Sequence, residues 1–204
     1  MLNPGVTDEV LSYWFGDDIS YDQAPSIVDR IQNVWFAGSD DVDNEIRKRF
    51  ADDIAGVTEE TLSQLNSSRD KLAVIILLDQ FPRNIFRESS EAFAKDHMAL
   101  KLAKELIRSN ENVELEPIQR VFVYLALEHA ENVEDQSLSV KKYEELLEEV
   151  DEGLKSIYES FLEYAIRHKV IIDRFGRFPH RNEILGREST KEEIEFLKQP
   201  GSSF

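Results

Sequence analysis

Apolar residues recur along this chain at helical rather than strand spacing, and the breaks between them fall at Gly, Pro and clusters of Ser, Thr, Asp and Asn. The first segment carries Val10, Leu11, Trp14 and Phe15, with Thr7 or Asp8 placed to cap its start and Gly16 to close it in a left-handed conformation. Trp14 and Phe15 are expected in the core. A short apolar touch at Ile27 and Ile31 leads to a second aromatic pair, Trp35-Phe36. Val42, Ile46, Phe50 and Ile54 then stand four apart on a helix that Gly56 ends. A helix from about Thr58 to Leu65 reaches the turn at Asn66-Ser-Ser68, which introduces Lys71-Leu-Ala-Val-Ile-Ile-Leu-Leu-Asp-Gln80. That run is apolar on every face, and among helical neighbours it reads as a central buried helix rather than a buried strand. Pro82 should stop it, because proline disfavours helical geometry in the residue before it.

Ala92 to Ile107 is the clearest amphipathic helix, with Phe93, Ala99, Leu102, Ala103 and Leu106 on one broad face. Pro117 suits a first helical turn, and Ile118, Val121, Phe122 and Leu125 form the stripe behind it, continued by His129. Further helices are expected from about Ser137 and from about Leu154, the second running into Lys169-Val-Ile-Ile-Asp173. Thr190-Lys-Glu-Glu193 is a capping box opening a short terminal helix, after which Gly201-Ser-Ser-Phe204 frays unless Phe204 docks. No segment alternates apolar and polar residues between hairpin turns. The expected architecture is therefore all-α, a single compact domain over residues 1–204.

Charge narrows the list of partners. Lys and Arg number 24 against 41 Asp and Glu, a net charge of -17 that repels phosphate backbones and anionic lipid surfaces. Nucleic-acid and membrane partners are excluded on that ground, and the longest apolar run, Leu72 to Leu78, is too short to span a bilayer. The absence of cysteine excludes disulfides, thiolate zinc sites and cysteine nucleophiles. The start Met1-Leu-Asn-Pro-Gly5 has neither a basic nor an apolar leader region, so a cytoplasmic protein is expected. No metal or cofactor is called for: the residues three before the four histidines are Ala94, Ala126, Ala165 and Arg177, where a di-iron bundle needs glutamates. Phosphate-loop, dinucleotide, zincin and nucleophile-elbow patterns are likewise absent. The acidic run from Glu144 to Glu152 reads as a solvated face.

The chemistry concentrates at two breaks that echo each other. Val74-Ile-Ile runs through Asp79 to Phe81-Pro-Arg-Asn84, and Val170-Ile-Ile-Asp173 runs to Phe178-Pro-His-Arg-Asn182. In each, Phe-Pro should stop an apolar segment, leaving carbonyls that the arginine and asparagine just downstream can satisfy. One reading is structural, with Arg83, Asn84, Arg181 and Asn182 capping carbonyls and pairing with Asp79, Asp96 or Asp173. The other rests on local charge: from Arg167 to Arg187 six cations face only Asp173 and Glu183, and arginine forks bind carboxylate or phosphate. On that reading Arg83, Asn84, Arg87, Arg174, Arg177, His180, Arg181 and Asn182 line a groove for a small anion or an acidic peptide. If the site is catalytic, His180 or His129 is the general base and Glu131 or Asp79 its orienting carboxylate.

These motifs carry a family resemblance. Val10-Leu-Ser-Tyr-Trp-Phe-Gly16, Trp35-Phe36, the segment Ile76 to Arg87, Tyr124-Leu to His129, Asp135-Gln136 and Arg174 to Arg187 together resemble the bacterial domain of unknown function 924 family. The resemblance covers nearly the whole chain. It implies a tetratricopeptide-like array of antiparallel helical hairpins and brings no established activity with it. The family's middle motif reads His-Ser-Glu where this chain has His129-Ala-Glu131.

Overall fold

A computed structural model describes residues 5–17 and 23–203, and these form helices with no strand among them. The expectations for Met1–Pro4 and for Phe204 fall outside the described residues. The helices are α1 Val6–Phe15, α2 Ala24–Arg30, α3 Asp40–Gly56, α4 Glu59–Ser63, α5 Ser68–Ile75, α6 Phe81–Ile85, α7 Asp96–Ser109, α8 Pro117–Glu128, α9 Val133–Glu149, α10 Lys155–Phe175 and α11 Lys191–Leu197.

Two apolar segments make the centre. Every residue from Leu72 to Leu78 is fully buried, as a helix apolar on all faces must be. In α8 only Pro117 and Arg120 escape burial, and the helix packs against α5, α7, α9 and α10. Short connections at residues 129–132 and 150–154 turn α8 into α9 and α9 into α10 as packed neighbours. Aromatic rings then tie the first segments to this centre. Phe122 of α8 meets Trp35, Phe15 and Trp14 edge-on at centroid distances of 4.9, 5.4 and 5.6 Å. Trp35 also donates its indole N–H to the Trp14 carbonyl at 2.8 Å.

Five expectations need correction. Pro82 does not stop the central helix. The chain widens into a π-turn over Ile76–Gln80, in which the Phe81 N–H reaches the Ile76 carbonyl, and Pro82 enters the first turn of α6, where no donor is required. Nor does Phe178-Pro179 end α10: Gly176 does, at φ 68° in the left-handed region that glycine reaches without strain, while Pro179 opens a short 3-10 turn. The helix expected from Ala92 begins at Asp96, Phe93 lying in a preceding 3-10 turn over Ser90–Phe93. Two other starts were misread. Asn132 caps α9 by accepting from the Glu134 and Asp135 N–H groups, four residues earlier than the apolar stripe indicates. Gly5 precedes α1, and the Thr7 hydroxyl donates to Asp70 instead of capping. The capping box at Thr190 and Glu193 forms as read.

Phe122→Ala should cost about 3–5 kcal/mol, because it removes a ring gripped by three aromatic neighbours that cannot all collapse into the space. Urea denaturation of the variant checks this. A loss under ~1 kcal/mol would mean that the aromatic cluster does not tie α1 to α8.

Candidate functional site

The centre of the site is Asp79, the fourth residue of the π-turn and only 1% exposed. Its carboxylate sits beside His129, whose Nδ1 lies 2.8 and 2.9 Å from the two oxygens. The side chain of Gln80 donates to the same carboxylate, and Arg83 Nη1 stands 3.3 Å from it. Arg83 also donates to the Asp79 carbonyl at 2.5 Å, supplying the donor expected downstream of the break. It then forks onto Asp96 at 2.9 and 2.8 Å. Local geometry explains the convergence: the extra residue in the π-turn rotates Asp79 inward, and His129 caps the C-terminus of α8 that faces it.

The second motif arrives at the same place. Arg181, 6% exposed, donates from Nη1 to the His129 carbonyl at 3.1 Å and stands 3.9 Å from Asp96, whose oxygens already receive the Arg83 fork. Its guanidinium lies between the rings of Phe178 and Phe93, 4.4 and 4.7 Å from their centroids. Its Nε is buried with no hydrogen-bond partner. Arg83 and Arg181 thus face Asp79 and Asp96 as two cations against two anions, and only Arg181 lacks a forked carboxylate.

These contacts set the charges. Burial pushes the Asp79 carboxyl up, but Arg83 and His129 outweigh it and hold the group far below the usual carboxylate range. Burial, and then Arg83, push His129 down to about 4, so its imidazole is neutral at physiological pH. The Asp79 carboxylate can only accept, so Nδ1 carries the ring proton and Nε2 is left with its lone pair. Among the described residues nothing hydrogen-bonds to that Nε2. Burial, with Arg83 next, lowers Arg181 to about 10, which leaves it cationic.

The other nominated residues are placed elsewhere or turned to other work. Asn84 and Arg87 both engage Asp43 of α3, Arg87 at 2.5 and 3.0 Å. Arg174 pairs with Glu192 and Arg177 forks onto Glu193, binding the end of α10 to α11. Glu131 accepts from Arg187 at 2.5 and 2.9 Å and from the Phe178 N–H at 2.8 Å, which holds its carboxyl below the ordinary range against the effect of burial. It is thereby committed to Arg187. Asn182 links Arg187 to Ser189. His180 is half-buried with its ring 5.7 Å from Phe178, and burial followed by Arg181 lowers it to about 4.

Sequence reasoning missed the partners more than the arginines. Asp43 and Glu192 carry no signal in the sequence, while Glu193 and Arg187 stood out only as a capping-box residue and as one cation of the arginine stretch. It also missed a second pair beside the first: Glu128 Oε1 lies 2.8 Å from His168 Nδ1, and the rings of His168 and His129 are 6.2 Å apart. Adjacency of Glu128 to His129 was the available signal, and their divergent directions on α8 hide it. Among the described residues no group of three His, Asp or Glu side chains is arranged to hold a metal, and no helix is long and apolar enough to cross a membrane.

The arrangement sits in a known family. Residues 10–201 match the family model described as bacterial protein of unknown function, DUF924. The chain belongs to the DUF924 family. A solved structure of a protein of unknown function from Agrobacterium tumefaciens, ATU0120, is 32% identical, covers 95% of this chain and 97% of its own, and superposes with a TM-score of 0.76. The two chains share a fold, which here is all-helical among the described residues. No curated protein matches the chain. Neither comparison attaches a ligand or a reaction to the Asp79–His129 centre.

Protonation supplies a test of this geometry. Between pH 6.5, the ordinary histidine value, and about 4, unfolded His129 and His180 bind protons that the folded protein refuses. Stability should therefore fall as pH drops through that window, because the unfolded state holds more protons there. Urea titrations across the window should show His129→Gln reducing the slope by about one proton. An unchanged slope would place His129 in water rather than against Asp79.

Proposed function

We propose that this DUF924 protein acts on a small anionic substrate by general acid–base chemistry at the Asp79–His129 pair, with Arg181 as the group that holds the anion. The carrying observation is the buried Asp79 carboxylate on His129 Nδ1 at 2.8 Å, with Nε2 unspent and, on the carbonyl of the same residue, a guanidinium that has no forked carboxylate. A carboxylate on one ring nitrogen fixes the tautomer and stabilises the imidazolium formed when the other nitrogen takes a proton. Arg181 would place a carboxylate or phosphate group next to that nitrogen. The peptide-groove reading is less well supported, since Arg87, Arg174 and Arg177 already spend their forks on Asp43, Glu192 and Glu193. Those same contacts favour an architectural role for these three arginines. The net charge of -17 supports a free small molecule over nucleic acid as substrate, and a cytoplasmic setting fits a chain without cysteine.

The wild type is to be screened for thermal stabilisation and turnover with small carboxylates and phosphate monoesters. With a responding substrate, His129→Gln should lower turnover by about 10²–10⁴-fold at nearly constant KM, the usual loss on removing a general base. Arg181→Lys should instead raise KM. No response from any member of either class, or a His129→Gln variant that turns over like the wild type, would overturn the proposal.

A further inference from the structure

Arg181 leaves one edge of its guanidinium unused. Nη1 is taken by the His129 carbonyl, Nε is buried with no hydrogen-bond partner, and Nη2 makes no hydrogen bond among the described residues. Nε and Nη2 share one edge of the group and each directs an N–H along it, so together they form a fork for two oxygens. That fork is held in place before any ligand arrives, because the rings of Phe178 and Phe93 pack against the guanidinium and the bond to His129 fixes its other corner. Three of its neighbours, Phe93, Asp96 and His129, are half-buried, as is His180 before it in the chain. The fork therefore lies one layer beneath the surface and not in the core.

The charges around this edge decide what can occupy it. Arg83, Arg181 and Arg187 are set against Asp79, Asp96 and Glu131, three cations against three anions. Arg83 and Arg187 already fork onto Asp96 and Glu131, so neither has a fork left for a ligand. A carboxylate brings a single negative charge and two coplanar oxygens, which the one open fork satisfies. A phosphate monoester brings about -1.5 to -2 charges at pH 7 and a third oxygen outside the plane of the fork. With Asp79 and Asp96 at hand the added charge is repelled, and the third oxygen has no further guanidinium to meet it.

We infer that the Nε–Nη2 edge of Arg181 takes a carboxylate, so that the substrates of the Asp79–His129 centre are small monocarboxylic acids and not phosphate monoesters. The assignment rests on the reading of that centre as an acid–base site, and it narrows the anion that Arg181 holds.

Propionate and ethyl phosphate share an ethyl body and differ in the anion, and the Nε–Hε signals of 15N-labelled protein report on each guanidinium. At physiological salt, propionate should shift the Arg181 Nε–Hε signal saturably and bind at least about tenfold tighter than ethyl phosphate. General attraction to cations gives the opposite order, since it favours the more highly charged anion. Arg181→Lys keeps the charge without the fork and should bring the two affinities within about twofold of each other. If that variant does not fold, the order of affinities and the Arg181 shift in the wild type decide alone. No saturable shift with propionate, ethyl phosphate binding as tightly or more so, or a tenfold preference that survives in Arg181→Lys would each overturn the assignment. Propionate bound at Arg181 in a protein that turns over no acid would uphold the fork and overturn the acid–base reading instead. Turnover of phosphate monoesters that depends on His129 would do the reverse.

Discussion

A carboxylate taken out of water must be met by donors, and Asp79 is, with Glu128, one of the two most deeply buried acids where this chain faces that constraint. The penalty for burying an unpaired charge is several kcal/mol, so at 1% exposure the group persists only with partners in place. Those partners come from Gln80 beside it, from Arg83 in the next turn and from His129 at the end of α8. Satisfying one carboxylate therefore fixes the π-turn, the entry into α6 and the position of α8 together. Arg181 then ties the C-terminal segment to the same point through the His129 carbonyl.

That centre differs in kind from the ion pairs around it. Arg174 with Glu192 is exposed and Arg177 with Glu193 half so, and such pairs chiefly orient α11 against the end of α10. Arg187 and Glu131 connect the loop after α8 to the segment after α10, and Phe178 donates into the same carboxylate. In a chain with so many acids, a cluster of arginines is as readily consumed by distant glutamates as offered to a ligand. Arg181 is set apart because Asp96, its nearest anion, already serves Arg83.

α8 is the element that joins the core to the Asp79–His129 centre. Its buried body anchors the aromatic cluster through Phe122, while His129, just past its C-terminus, meets the Asp79 carboxylate. Burial of the helix body leaves only its ends free for chemistry. Membership of the DUF924 family and the likeness to ATU0120 fix the scaffold on which that centre is held.

The sequence by itself determined the helical class, the buried run Leu72–Leu78, the stripe of α8 and the capping box at Thr190. All of these depend on residues within a turn or two of each other, where periodicity and side-chain chemistry act directly. It misjudged Pro82 because proline's bar on helical geometry is relieved by a π-turn, whose widening has no local signature. Only the tertiary structure decided which acid meets which arginine. Asp43 lies 44 positions from Arg87 and Glu131 lies 56 from Arg187, separations at which pairing is set by how α3, α8 and the C-terminal segment pack rather than by spacing. The same packing chose His129 over His180 as the partner of Asp79, since helix direction at the end of α8, invisible in the order of residues, aims the ring.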